Sequence, residues 1–164
     1  MYNKNYVHYV VATVIMVRDG KFLIAKRADW EKGFPGKWTV PGGKLEVTDY
    51  TQRPKDTSAH WYGVLEDVLR REIREETRLE IKDIGYVTSL VYIRDDNVPT
   101  LIVSLYANYA RGEVTLSNEL TEHAWITLEE AENYDLIAGI YEEIEMLDRH
   151  LKGKNMGEWN KTNS

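Results

Sequence analysis

The stretch Val64-Leu65-Glu66-Asp67-Val68-Leu69-Arg70-Arg71-Glu72-Ile73-Arg74-Glu75-Glu76-Thr77 decides how this 164-residue chain is read. Stepped at about 100° per residue, Val64, Leu65, Val68 and Leu69 fall on one side of a helix. The same stripe continues through Glu72, Glu75 and Glu76, with Glu76 one turn beyond Glu72 and Glu75 beside both. An amphipathic helix normally puts its charge on the opposite face. Carboxylates on a core-facing stripe repel one another, and their burial is costly unless they are paired or hold a cation. A close set of hard oxygen ligands suits Mg²⁺ or Mn²⁺. Arg71 sits at the edge of the stripe, within reach of one carboxylate. A solvated face of ordinary Glu–Arg pairs is the competing reading, and the wheel position weighs against it.

Outward from this stretch, the helical pattern runs from about Ala59 to Arg78. Upstream, Val7 to Val17 is rich in β-branched residues, and Asp19-Gly20 separates it from Phe22 to Ala25. That order reads as a β-hairpin. Residues 28–37, with Gly33, Pro35 and Gly36, read as a loop. Trp38 to Val40 is a short strand, expected to break at Pro41-Gly42-Gly43. Residues 50–58 are polar and irregular. Downstream, Ile84 to Ile93 and Thr100 to Asn108 are strands joined by a turn, and Glu122 to Ile126 is a third. Leu136, Ile137, Ile140, Ile144, Leu147 and Leu151 recur at three- and four-residue steps, which predicts a helix over 136–151. Residues 152–164 are polar and are expected to form a flexible tail. Strands alternating with two helices predict one mixed α/β layered domain over residues 1–151.

The net charge of −6 and pI near 5.3 disfavour a nucleic-acid partner, which needs clustered Lys and Arg. The absence of cysteine excludes disulfides, thiolate metal sites and Cys nucleophiles. Met1 to Val11 lacks the basic start and apolar run of a signal peptide. No apolar run reaches the roughly 18 residues of a membrane span. The expectation is a cytoplasmic protein with no membrane partner.

Arg71-Glu72-Ile73-Arg74-Glu75-Glu76-Thr77-Arg78-Leu79 resembles the end of the Nudix box. Gly36 to Glu46, with Pro41-Gly42-Gly43, resembles the strand and glycine turn that open the same box. Lys21 to Arg27 (KFLIAKR) resembles the strand before it. The resemblance spans about residues 7–130. Two departures stand out. Gly43 and Arg71 lie 28 positions apart where the family has fourteen, so about 14 residues are inserted within 47–62, and Asp49 takes the place of a box glutamate. Arg78 stands where the family has glycine. A left-handed residue there is costly with a Cβ, so the helix is expected to end differently.

The resemblance implies an α/β/α sandwich around a mixed sheet. It also implies hydrolysis, with Mg²⁺ or Mn²⁺, of a phosphate–phosphate bond in a nucleotide or nucleoside-diphosphate-linked small molecule. Glu72, Glu75 and Glu76 would ligate the metal, with one box carboxylate activating water and Arg71 orienting a carboxylate. Glu119, preferred over Glu122, would supply a base or further ligand from the late part of the chain. The Gly43 carbonyl is a further metal ligand candidate, because glycine lets backbone approach an ion closely. Arg27 is a candidate for a substrate phosphate, since a guanidinium forks onto phosphate oxygens. Tyr92, with Trp30 and Phe34 as alternatives, is a candidate for stacking on a base. Glu46 is expected to line the site. His60, Trp61 and Tyr62 close the insertion, where a pocket or subunit contact stays open, as does a homodimer. A non-catalytic nucleotide or ADP-ribose sensor is the alternative. Such modules tend to lose box carboxylates, and this chain keeps three on the helix.

Overall fold

The computed structural model describes residues 1–162. Strand β1 (Tyr9–Arg18) turns at Asp19-Gly20 into β2 (Lys21–Arg27). Both turn residues have positive φ, 51° and 76°, as a two-residue hairpin that matches strand twist requires. After them come β3 (Trp38–Thr39), β4 (Gly42–Lys44), α1 (Thr48–Thr51) and α2 (Val64–Thr77). The chain continues with β5 (Glu80–Ile93), β6 (Pro99–Arg111), β7 (Leu120–Ile126), α3 (Leu128–Ala131) and α4 (Ile140–Leu151). The strands form one sheet in the order β3-β2-β1-β6-β5, with β4 beside β1 and β7 beside β2. β1 and β6 run parallel and the other pairs antiparallel, so the sheet is mixed.

The sandwich follows from β1, which is apolar on both faces, as a strand covered on both sides must be. Ala12, Val14 and Met16 point one way, and pack with Val68, Leu69 and Ile73 of α2. Ile15 and Val17 point the other way, and pack with Phe22, Ile24, Ile144 and Leu147 under α4. This is the α/β/α sandwich that the resemblance implies. Among the described residues no helix is long and apolar enough to cross a membrane.

Several boundaries differ from expectation for local reasons. The glycine pair does not simply break a strand. Gly42, Gly43 and Lys44 pair with Thr13, Ala12 and Val11 as β4. A Cβ on Gly42 would lie 2.5 Å from the Ala12 carbonyl, so only glycine can lie this close to β1. Helix α2 starts at Val64 rather than Ala59, because Gly63 turns left-handed at φ 66°. Helix α4 starts at Ile140 because Gly139, at φ 99°, interrupts the pattern. Leu136 and Ile137 keep their apolar spacing by another route. They bridge to Trp38, with the Ile137 N–H donated to the Trp38 carbonyl at 2.9 Å. The short helices α1 and α3 carry too few turns to leave a periodic signal. Beyond α4, Met156 packs on the core and the Trp159 indole donates to the Gly139 carbonyl at 3.1 Å. Asn163 and Ser164 of the expected tail lie outside the described residues.

Arg78 adopts φ 63° and ψ 17°, the left-handed cap that a glycine would take. The helix therefore ends in the ordinary way and not differently, and the arginine carries the strain. The left-handed region costs a residue with a Cβ about 1–2 kcal/mol, partly offset by the extra freedom of an unfolded glycine. Arg78→Gly is expected to stabilise the protein by about 1 kcal/mol, read as a rise of a few degrees in Tm.

Glu143 of α4 is buried between that helix and the sheet. Burial pushes its carboxyl up to about 6, against a smaller downward pull from Ser104. The Ser104 hydroxyl is near, yet forms no hydrogen bond of normal geometry. A carboxyl with a raised folded pKa binds its proton more tightly when folded. Its ionisation therefore costs nothing below the ordinary value of 4.5 and costs its full amount above about 6. Glu143→Gln is expected to stabilise by about 2 kcal/mol at pH 8, with the gain gone at pH 4, as measured by urea unfolding at both pH values.

Candidate active site

Helix α2 brings its acidic end against β4. A Cβ on Gly43 would overlap the Glu72 carboxylate, so this glycine is what lets the side chain lie on the backbone. Glu76, one turn on, is buried at 7% exposure, whereas Glu72 is half-buried. The two carboxyls face each other. Burial pushes Glu76 well above the usual carboxylate range, and the neighbouring Glu72 and then Glu119 push it further, while the Gly42 N–H pulls it back. Burial also raises Glu72, with Glu76 and Arg71 opposing. Glu75 departs from the wheel reading. Its side chain is 60% exposed, on the rim and not on the buried stripe. The stripe at the helix end is narrower than three residues, so one carboxylate must turn outward.

Arg71 organises the acids around it. Its Nε and Nη2 fork onto both Asp49 oxygens at 2.5 and 3.1 Å, and Nη1 donates to Glu72 at 2.7 Å and to Glu75 at 3.4 Å. Nη2 also reaches the Lys44 carbonyl at 3.2 Å. The Asp49 side chain is only 2% exposed. Burial alone would raise its pKa. The Arg71 fork and the Glu46 N–H, donated at 2.7 Å, outweigh burial and hold Asp49 below the usual range. Arg71 is raised in turn, chiefly by its bonds to Asp49. The insertion does not disturb this frame. Arg53 within it pairs with Asp56 and with Asp67 of α2, at 2.8 and 3.1 Å, and Trp61 packs on Tyr50 with ring centroids 5.3 Å apart.

These groups open onto a cleft of about 650 Å³. Of the residues singled out from sequence, Arg27, Gly43, Glu46, Arg71, Glu72, Glu75, Glu76 and Glu119 all line it. Glu122 does not line it. It pairs with Lys26 at 3.3 Å on the surface. Tyr92 also lies away from the cleft lining, packed on Phe34 at 5.6 Å between ring centroids. Trp30 is 70% exposed, and His60 bonds Thr57 within the insertion. Sequence reasoning missed Glu31, Lys44, Ser117 and Asn118, which also line the cleft. Lys44 follows the glycine pair directly and could have been flagged. The others sit in loops without periodicity.

Six glutamates, Glu31, Glu46, Glu72, Glu75, Glu76 and Glu119, face a cleft whose cations are Arg27, Lys44 and Arg71. Such a surplus of negative charge suits positive counter-ions far better than a bare anionic ligand. Among the described residues no three acidic or imidazole side chains already converge as a closed cation cage. The oxygens are hard donors; Arg71 already pairs with Glu72, while the buried Glu76 beside it is in no ion pair among the described residues, so a proton or a cation is favoured there. The donor set therefore fits a divalent ion.

The α/β/α sandwich lays the acidic end of α2 against the glycine pair of β4, and both open onto one cleft. The chain belongs to the Nudix family, since the family model for the NUDIX domain matches residues 7–147. It is similar to nucleoside triphosphatase NudI of Escherichia fergusonii, 30% identical over 132 residues, which covers 74% of this chain and 84% of that one. The fold is also shared with the solution structure of the E. coli ORF135 protein (TM-score 0.66, 23% identity, covering 93% of this chain and 97% of that one). The NUDIX domain of Shewanella oneidensis NrtR, solved with ADP ribose, is similar as well (TM-score 0.67, 18% identity, covering 92% and 94%). This protein is accordingly a Nudix hydrolase acting on phosphoanhydride bonds.

The Arg71–Asp49 fork yields a test at the level of folding. A carboxylate whose folded pKa is lowered contributes stability above its ordinary value, here 3.8, and loses it as pH falls through the folded value. Asp49→Asn is expected to cost about 1–3 kcal/mol at pH 7. The difference from wild type is expected to shrink on acidification below pH 3.8, measured by denaturant titration across pH.

Proposed function

We propose that the cleft hydrolyses a phosphate–phosphate bond in a nucleotide of the nucleoside triphosphate class, with Mg²⁺ or Mn²⁺ bound by Glu72, Glu75, Glu76 and the Gly43 carbonyl. The observation that carries this reading is the Glu72–Glu76 pair, buried against Gly43 and opening on the same cleft as Arg27 and Glu119. Support also comes from the NudI relatives, which are nucleoside triphosphatases. When bound, the divalent ion spreads charge away from the phosphoryl oxygens and lowers the cost of forming a nucleophile from water.

The chain's own residues divide the remaining work. Arg71 fixes the rotamers of Glu72 and Glu75, and Asp49 fixes Arg71. Arg27 holds a non-bridging phosphate oxygen by its guanidinium fork. Glu119 takes the proton of the attacking water. The water oxygen bonds to phosphorus as the phosphorus–bridging-oxygen bond breaks, and the bridging oxygen leaves on the departing phosphate. This chemistry asks for positioning and electrostatics more than covalent help. Glu46 lines the mouth of the cleft near the departing group. Tyr92, with Phe34, is proposed to meet the base outside the cleft. The substrate is a free small molecule, and the protein acts in the cytoplasm.

The test is product release from a panel of nucleoside triphosphates, ADP-ribose and dinucleoside polyphosphates, with and without Mg²⁺. Wild type is expected to turn over at least one triphosphate only with the metal. Glu72→Gln and Glu76→Gln are expected to lower kcat on the order of 10²–10³-fold. Both variants should stay folded, because glutamine removes a charge whose burial is costly. Tight binding with no turnover would instead make the protein a nucleotide sensor.

A further inference from the structure

We propose that Glu31 is the positioning residue for Arg27, aiming one fork of its guanidinium into the cleft for a phosphate oxygen of the substrate; the proposal rests on reading the cleft as a phosphoanhydride hydrolase site. Arg27 ends β2 at a point where the pairing with β7 shifts register, between Lys26 and Arg27. Such irregularities re-aim a side chain. Here the shift leaves Arg27 lining the same cleft as Glu72, Glu76 and Glu119.

Among the described residues the guanidinium is bonded along one edge. Nε donates to the Gly33 carbonyl at 2.6 Å and Nη2 donates to Glu31 at 3.4 Å. Nε–H and the inner hydrogen of Nη2 lie on the same edge of the planar group. The end-on edge, with Nη1 and the outer Nη2 hydrogen, keeps the paired geometry that matches a phosphate. Among the described residues Glu31 is the one acid in an ion pair with Arg27.

That choice of partner matters in so acidic a cleft. Opposite charges in contact attract appreciably where solvent is partly excluded. Glu72, Glu76 and Glu119 line the same cleft and would compete for an untethered Arg27. Glu31, itself on the cleft wall, is the acid that holds the arginine in place of those three. The loop that carries Glu31 is itself pinned. The Glu31 N–H donates to the Ala28 carbonyl at 3.2 Å, and Phe34, at φ 50°, packs on Tyr92. A non-glycine residue with positive φ persists only where its surroundings over-determine it. The loop is thus a fixed bracket for the guanidinium.

Calorimetric titration with Mg²⁺-tripolyphosphate, alongside steady-state hydrolysis of the best triphosphate, tests the assignment. Glu31→Ala is expected to weaken Kd and raise KM about fivefold, the cost of ordering one free arginine on binding, with kcat within about twofold. Glu31→Gln is expected to stay near wild type, because its amide oxygen still accepts from Nη2. In an Arg27→Ala background, Glu31→Ala is expected to add nothing. An unchanged Kd, a full penalty in the Arg27→Ala background, or an effect confined to the Mg²⁺ requirement would each overturn the proposal. Wild type that binds tripolyphosphate without hydrolysing any nucleotide removes the catalytic reading alone, since the Kd comparison still decides the role of Glu31. Wild type that binds no tripolyphosphate removes both.

Discussion

Two carboxyls, the half-buried Glu72 and the buried Glu76, face each other one turn apart near the end of α2, and the arrangement around them follows from that constraint. Two adjacent buried acids cannot both ionise without a partner. The chain keeps them at that cost, and shapes its backbone to do so. Gly43 leaves room for the Glu72 carboxylate, and Gly42 brings β4 onto β1, so that strand and helix end meet. The apolar first turns of α2 anchor the helix through Val68, Leu69 and Ile73. They fix the height at which its acidic end stands over the sheet.

A second layer holds the acids in place. Arg71 forks onto Asp49, which stands in place of a box glutamate, and bonds Glu72. Asp49 reaches because α1 begins the insertion beside Arg71. The loop that follows is expensive to order only in a modest way, since loop-closure cost grows slowly with length. Arg53, paired with Asp56 and Asp67, and Trp61, packed on Tyr50, hold the insertion against the start of α2, away from the acidic end. The insertion therefore lengthens the segment between Gly43 and Arg71 while its far part packs on the start of α2.

Much of this was legible in the sequence, for reasons that differ by residue. The helical wheel found Glu72 and Glu76 because a 3.6-residue period carries through from apolar to acidic positions. It overreached at Glu75, since a wheel gives direction but not the width of the contact. The mixed α/β layering was legible in the alternation of strand and helix patterns, and the sandwich in the resemblance of residues 7–130 to a known family. The start of α4 was not, because Leu136 and Ile137 bury into the same core as the helix and so mimic its period. The cap at Arg78 was misjudged because its cost was weighed alone, without its N–H bond to the Arg74 carbonyl and the burial of Thr77 and Leu79 on either side. Glu31 left no trace at all. A loop residue that acts by bonding an arginine four positions earlier has no periodicity, and only the fold shows what it faces.

The central claim is that the buried acidic pair is tolerated for the sake of a divalent cation. Its most direct measurement is the melting temperature of wild type and Glu76→Gln, each with and without millimolar Mg²⁺. A ligand that binds the folded state alone stabilises it in proportion to the logarithm of its concentration over Kd. The account predicts that wild type melts lower than Glu76→Gln without the metal, and that Mg²⁺ raises wild type while leaving the variant nearly unmoved. Equal responses to Mg²⁺ in both proteins, or none in wild type, would contradict it.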